Sequence, residues 1–254
     1  MTTANDQPRR WVPPADLDPS DRASRRAWVE ANLRELERTY RNLDEGAPAD
    51  YIPALAAADP GAFGIAVHTT NGQHLGIGAE EAPFTIQSIS KVVLYGEALQ
   101  RWGRETVLRR AGVEPTGERF NAITFDEVNN RPFNPMVNAG AIAITVLLEG
   151  DTVDDRLDTM LEAFRRYLGR APVVDQTVFR SELATAHRNR AIAHLLLSRG
   201  IIADRVEETV ELYTLQCAIV VTAEDLALIA ATLANAGVNP VTGERALAAE
   251  YVRD

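Results

Sequence analysis

A serine and a lysine three positions apart are the feature of this sequence with the clearest chemical potential. Ser88 and Lys91 stand in the run Gln-Ser-Ile-Ser-Lys, directly after a short apolar segment of strand character. Residues three apart share one face of a helix, so the amine of Lys91 could reach the hydroxyl of Ser88. A lysine withdrawn from water has a lowered pKa and can take the serine proton during attack on a carbonyl carbon. The pattern therefore predicts an acyl-transfer nucleophile.

The elements around this pair should place it at the start of a helix. The apolar pattern predicts a helix from about residue 88 to about residue 102. The free backbone N–H groups of its first turn could then donate to the oxyanion that forms during attack. Ser-x-x-Lys is also common by chance, and the alternative is a capping serine with a solvated lysine. The spacing alone leaves both open.

The remaining pattern predicts one α+β domain. Residues 63–69 and 74–78 alternate around Asn71 and Gly72, which indicates a hairpin. Helices are predicted for residues 21–43, 136–148, 152–168, 181–198, 206–221 and 223–236. Strands followed by helices favour helices packed on an antiparallel sheet. Residues 1–20 are polar and proline-containing, so we expect a disordered arm before a catalytic domain at 21–254.

The composition argues against several classes of partner. The formal net charge is −10 and the sequence pI is about 5.0, so no general field would attract nucleic acid or an anionic membrane. One cysteine, Cys217, excludes an internal disulfide, and its apolar surroundings predict an inert buried thiol. No apolar run is long enough to span a bilayer or to act as a signal peptide, which predicts a cytoplasmic protein.

No metal or cofactor is expected. The four histidines are His68, His74, His187 and His194. Their spacing does not match a metal-binding pattern, and we interpret them as surface or packing residues.

Several blocks of the sequence, in one order, resemble the glutaminase family of the serine β-lactamase-like and penicillin-binding-protein-like fold. The blocks are residues 50–56, 84–91, 112–117 with 119–121, 134–142, 179–182 with 188–189, 211–217, and 231–237 with 242–245. The resemblance runs from about Tyr40 to the last residue. It implies a hydrolase that converts L-glutamine to L-glutamate and ammonia, works without metal or cofactor, and assembles as a homodimer or homotetramer.

The resemblance also implies a role for each matching residue. Ser88 would be the nucleophile and Lys91 its base, while the hydroxyls of Tyr51 and Tyr213 would relay a proton or position the substrate. Substrate ligands would be Gln87, Ser88, Asn138, Glu182, Asn189 and Tyr213. The chemistry fits glutamine, because a carboxylate can bind its α-ammonium and amide donors can bind its α-carboxylate.

Without the resemblance, simpler roles remain open for these residues. Glu182 could be a surface acid, Asn138 a helix cap and Tyr213 a core residue. Glu182 and Asn189 are seven positions apart and would share one helical face if residues 181–198 form a continuous helix.

The end of the sequence departs from the family pattern. Family members continue into a Gly-Met-Tyr segment and a Lys-Ser-Gly-Val-type strand, which supplies a second oxyanion donor and strands of the central sheet, and neither motif occurs here. The resemblance therefore predicts a catalytic domain that lacks C-terminal strands.

Two alternatives to an active glutaminase follow. The first is a penicillin-binding protein or class A β-lactamase, which would need Ser-Asp-Asn and Lys-Thr-Gly elements that are absent. The second is a catalytically silent binding or assembly module that keeps the amino-acid pocket or the oligomer interface.

Overall fold

Helices dominate the computed structural model, which describes residues 12–15, 17–18, 20–203 and 205–254. Helices in these residues are α1 Arg22–Tyr40, α2 Ser90–Arg110, α3 Asn138–Thr145, α4 Val153–Leu168, α5 Gln176–Thr185, α6 His187–Ser198, α7 Val206–Cys217 and α8 Ala223–Ala234. Strands are β1 Gly64–His68, β2 His74–Gly78, β3 Phe84–Thr85 and β4 Val220–Val221. The predicted arm at 1–20 falls largely on residues 1–11, 16 and 19, which lie outside the described residues.

The strands form two antiparallel pairs, so the fold is α+β as predicted. In the hairpin, Gly64 pairs with Gly78 and His68 with His74. Gly72 has a φ of 81°, and an added Cβ there would lie 2.9 Å from the carbonyl oxygen of Pro240. The prediction of helices packed on one antiparallel sheet is wrong for the described residues, where each sheet has two strands.

The second strand pair leads the chain into the serine-lysine motif. Phe84 pairs with Val221 and Thr85 with Val220, and the N–H of Ile86 continues the ladder to Ile219. The predicted helix over residues 206–221 is too long, because α7 ends at Cys217. The β-branched residues that follow α7 instead hydrogen-bond to the segment before Ser88.

Helix α2 begins one turn after the strand pair, as the sequence predicts. A 3₁₀ turn over Gln87–Ile89 precedes its first residue, Ser90. The predicted end near Trp102 falls at a kink, where Gly103 has a φ of 72° and a ψ of 164°. The chain then resumes helical conformation to Arg110, because glycine tolerates the positive φ that the kink requires.

The segment predicted as one helix over residues 181–198 is two helices. Helix α5 ends at Thr185, and Ala186 breaks the path with a φ of −73° and a ψ of 28° before α6 begins. No glycine or proline marks the break, so periodicity indicated continuity. Glu182 and Asn189 therefore lie on different helices.

The core forms around α4 and α7. Helix α4 has a capping box between Thr152 and Asp155, and its Met160, Phe164 and Tyr167 are fully buried. Burial of each large apolar side chain contributes roughly 1.5–3 kcal/mol. The stripe predicted for α1 is only partly correct, because Leu33 is buried while Tyr40 remains exposed. Across the described ranges, no helix has the length and apolar character needed to cross a bilayer.

Candidate active site

A cavity of about 160 Å³ lies between the N-terminal turn of α2, the start of α3 and the break between α5 and α6. Its lining residues are Tyr51, Ile52, Gln87, Ser88, Phe120, Asn121, Asn138, Glu182, Thr185, Ala186, Arg188, Asn189, Tyr213 and Cys217. All the site residues predicted from the sequence line it except Lys91, which is buried beside it. The cavity is smaller than the roughly 300 Å³ or more of drug-sized pockets, which suits a ligand the size of one amino acid.

Ser88 is exposed at this cavity, in the 3₁₀ turn before α2. The preceding residue, Gln87, has a φ of 51°, a region that residues other than glycine rarely adopt. The amide Nε2 of Gln87 donates to the hydroxyl of Thr85 at 3.0 Å. Within the described residues, the backbone N–H of Ser88 donates to no acceptor. Local strain beside an exposed nucleophile and a free N–H is common at catalytic turns.

Lys91 is 2% exposed, and its Nζ donates to two oxygens. These are the carbonyl oxygen of Met136 at 3.1 Å and Oδ1 of Asn138 at 2.7 Å. Burial lowers the pKa of Lys91 to about 8. A neutral amine has two N–H groups and one lone pair, so two carbonyl acceptors leave the lone pair available to a proton donor. Lys91 is also the chain's one lysine, and the other basic side chains are arginines, which do not deprotonate in proteins.

Asn138 connects the lysine to two other cavity residues. Its Oδ1 also accepts from the hydroxyl of Tyr213 at 3.1 Å, and its Nδ2 donates to Oδ1 of Asn189 at 3.1 Å. Because Lys91 donates to Oδ1, the orientation of both asparagine amides follows along the chain of bonds. The Nδ2 group of Asn189 is then left to face a ligand. Asn138 is the first residue of α3 rather than its cap, which is Val137.

Glu182 is a buried carboxylate without a complete set of partners. It is 9% exposed, and its Oε2 has no hydrogen-bond partner among the described residues. Burial raises its pKa to about 7, although the Gln87 amide and the Lys91 charge act in the opposite direction. A buried acid with a free oxygen at a cavity wall is suited to bind a cation. The alternative of a surface acid is therefore wrong.

Replacement of Glu182 with glutamine is expected to stabilise the protein in a pH-dependent way. The folded-state pKa of about 7 is above the ordinary 4.5, so folding favours the neutral acid, and this contribution is lost as pH rises through 7. The difference corresponds to about 3 kcal/mol. Urea denaturation should therefore show Glu182→Gln to be more stable than wild type at pH 8 by up to this amount, and nearly equal at pH 4.5.

An exposed acid provides the control for this measurement. Glu81 is exposed and forms no ion pair in the described part of the chain, so Glu81→Gln should match wild type at both pH values. Equal stabilities of wild type and Glu182→Gln at pH 8 would contradict the burial argument.

Two further predicted residues mark opposite ends of the cavity. Tyr51 is 65% exposed and lies at the mouth. Cys217 is buried, and burial together with the nearby Glu182 raises the pKa of its thiol, so the thiol stays protonated. Tyr213 is buried in the core, as one interpretation predicts, but its hydroxyl also belongs to the Asn138 network.

Some lining residues were missed by sequence reasoning. Phe120 places its ring centroid 5.7 Å from Nζ of Lys91, and its carbonyl oxygen accepts from the N–H of Asn138 at 2.7 Å. Asn121, Thr185 and Arg188 also line the cavity. Their sequence signal is adjacency to predicted residues or blocks, which does not reveal side-chain direction.

Comparison with known sequences assigns the family. The glutaminase family model matches residues 46–254. Glutaminases of Nostoc sp. and Microcystis aeruginosa are 53% and 54% identical over 222 residues, which cover 87% of this chain and 66% of each relative. The Corynebacterium glutamicum glutaminase is 44% identical over 223 residues, with 54% of its length covered. This chain thus spans about two thirds or less of the length of these curated relatives.

Solved structures give the same result for the fold. The structure of Mglu in its tris and glutamate form matches with a TM-score of 0.84 and 40% identity, over 89% of this chain and 50% of that one. The probable glutaminase ybaS matches with a TM-score of 0.83 and 33% identity, over 89% and 73% of the two chains. The fold is therefore the serine β-lactamase-like fold that the resemblance implied. The chain belongs to the glutaminase family.

Proposed function

We propose that the protein hydrolyses L-glutamine to L-glutamate and ammonia through an acyl-enzyme on Ser88. The observation that carries the proposal is the arrangement of one exposed serine and one buried lysine at a cavity of amino-acid size. Both N–H groups of a neutral Lys91 are occupied by the oxygens of Met136 and Asn138. Membership of the glutaminase family supports glutamine as the substrate.

In the first step, Ser88 Oγ bonds to the carboxamide carbon of the substrate while its proton moves to Nζ of Lys91. The carbonyl oxygen becomes an oxyanion, to which the free backbone N–H of Ser88 can donate. Collapse of the tetrahedral intermediate breaks the carbon–nitrogen bond. The proton held by Lys91 passes to the departing nitrogen, and ammonia leaves an ester on Ser88.

In the second step, water attacks the ester and loses a proton to Lys91. The carbon–oxygen bond to Ser88 then breaks, Lys91 returns the proton to the serine oxygen, and glutamate is released. Tyr213 donates to the same oxygen as Lys91, and burial raises its pKa, so it remains a phenol that can orient or relay protons. The exposed Tyr51 lies where its hydroxyl can contact the substrate at the mouth.

Substrate recognition follows from the charges of the cavity. The unpartnered Oε2 of Glu182 would accept from the α-ammonium of glutamine. The Nδ2 group of Asn189, left free by the Asn138 network, would donate to the α-carboxylate. Gln87 lies beside both Ser88 and Glu182 and would help to fix the substrate between them.

The pH dependence of kcat/KM should show two ionisations on its acid side. Lys91 must lose a proton to act as base, with a pKa of about 8, and Glu182 must lose one to bind the ammonium, with a pKa of about 7. The logarithm of kcat/KM should rise with a slope of two below pH 7 and a slope of one up to pH 8. Stopped assays at 0.5 pH intervals would measure this profile.

The Glu182→Gln variant separates the two groups. Its profile should keep the ionisation near 8 and lose the one near 7, so its limiting slope should be one. A wild-type profile that is flat between pH 6 and 8 would contradict both assignments.

The resemblance further supports assembly as a homodimer or homotetramer, and the absence of a general positive field supports a cytoplasmic location without nucleic-acid or membrane partners. Light scattering coupled to size exclusion would measure the mass of the assembly. A mass near that of one chain, 27.8 kDa, would contradict the oligomer.

Ammonia release from L-glutamine by the purified 254-residue chain tests the proposed function. A second version, extended through the Gly-Met-Tyr and Lys-Ser-Gly-Val segments expected from the family, should be assayed beside it. Turnover by either supports the assignment. Calorimetric heat on glutamine addition without ammonia release from either version would instead favour the silent binding module, and rapid cleavage of a chromogenic β-lactam would favour the β-lactamase alternative.

A further inference from the structure

Arg188 is a cavity residue whose charge has no acidic partner. It lines the cavity, is exposed at its rim, and donates from Nε to the carbonyl oxygen of Asn121 at 2.7 Å. In the described part of the chain no carboxylate lies within ion-pair distance of its guanidinium. Two residues on, Arg190 pairs with Glu207 at 3.0 Å. The Asn121 bond anchors one edge of the Arg188 guanidinium and leaves its terminal nitrogens uncommitted.

The other charged groups of the cavity indicate what this cation would meet. Glu182, on α5, presents a buried oxygen without a partner, which requires a positive ligand group. Arg188 lies across the Ala186 break, in the first turn of the twelve-residue helix α6, which has no side-chain cap. The N-terminal dipole of α6 therefore adds to the positive charge on this side. One wall is thus negative and the adjoining wall positive.

A free α-amino acid carries an ammonium and a carboxylate on one carbon, which matches these adjoining walls. We propose that Arg188 is a specificity-determining residue that binds the α-carboxylate of the substrate. This inference rests on the proposed glutaminase function and extends it, because it explains why a free amino acid would be preferred over a substrate with a blocked carboxylate. The guanidinium can donate two parallel hydrogen bonds to a carboxylate, which a lysine cannot match.

The test compares two substrates in two proteins. The second substrate is the α-amide of L-glutamine, in which a neutral group replaces the carboxylate, and chromatography follows hydrolysis of its side-chain amide. In Arg188→Gln, kcat/KM for L-glutamine should fall about 10- to 100-fold, mainly through KM. For the α-amide it should change less than about threefold, because the lost partner is absent from that substrate. Arg188→Lys should restore part of the loss.

Arg180 provides a charge-matched control. It is exposed on α5, does not line the cavity and forms no ion pair within the described residues. Arg180→Gln should retain the wild-type ratio of the two kcat/KM values. An equal fall for both substrates in Arg188→Gln would show a structural role and overturn the proposal, as would an unchanged ratio.

A binding measurement keeps this test independent of turnover. In the Ser88→Ala background, calorimetry gives the Kd of L-glutamine and of its α-amide with and without Arg188→Gln. Selective loss of glutamine affinity supports the proposal even if the wild-type chain releases no ammonia, a result that would count against the proposed hydrolysis alone. Equal affinities for both ligands in the presence of Arg188 would overturn it.

Discussion

Replacing Ser88 with alanine is expected to lower kcat for ammonia release from L-glutamine by at least about 1,000-fold, because the residue would form the covalent bond to the substrate. Cys217 lines the same cavity but cannot take over, since its buried thiol stays protonated. A coupled glutamate assay would measure the loss. Mass spectrometry of rapidly quenched enzyme should detect an acyl adduct on the peptide that contains Ser88 in wild type and not in the variant.

The neighbouring Ser90 offers a matched control within the same motif. It is fully buried, does not line the cavity, and its hydroxyl has no hydrogen-bond partner among the described residues. Ser90→Ala removes the same atom two positions away, so kcat should stay within about threefold of wild type. Stability should be unchanged or slightly higher, because a buried hydroxyl without a partner carries a desolvation cost. Activity in Ser88→Ala with loss in Ser90→Ala would reverse the assignment of the nucleophile.

Replacing Lys91 with methionine is expected to have an effect of similar size, at least about 1,000-fold on kcat, because the serine would lose its base. Methionine keeps most of the apolar volume but leaves the oxygens of Met136 and Asn138 without their donor. Lys91→Arg should not rescue activity, since a guanidinium stays charged and has no lone pair to accept the proton. Denaturant melts of both variants would show whether the fold persists.

A direct titration of Lys91 tests the same role without a substitution. Because the chain contains one lysine, lysine labelled with ¹⁵N at Nζ should produce one side-chain amine signal. We expect that signal to titrate with a pKa of about 8, well below the ordinary 10.5. A pKa close to 10.5 would mean that the amine is solvated or more strongly paired, and it would remove the physical basis for a neutral base near pH 7.

Local patterns in the sequence predicted several elements correctly because short-range physics decides them. The hairpin around Asn71 and Gly72 depends on a glycine that accepts positive φ, and β1 and β2 pair as expected. The helix after Ser88 follows from apolar periodicity, and its predicted end near Trp102 coincides with the Gly103 kink. Spacing also placed Ser88 and Lys91 on adjoining turns at a helix start.

Longer-range predictions failed where contacts between distant segments decide the backbone. The chain after Cys217 forms β4 rather than helix because Val220 and Val221 hydrogen-bond to the segment before Ser88. The break at Ala186 has no local marker, since neither glycine nor proline occurs there. That break nevertheless sets the relative positions of Glu182 and Asn189, which a continuous helix would have placed differently.

By itself, the sequence determined the types of the chemical groups, the local start of the nucleophile helix and, through several matching blocks, the family. The tertiary structure decided how those groups act on one another. Burial of Lys91 and Glu182 shifts their pKa values in opposite directions, and only packing by distant helices provides that burial. The bonds from Asn138 join residues 47, 75 and 51 positions away. Such orientation depends on the folded core, because no local rule of the chain relates residues so far apart.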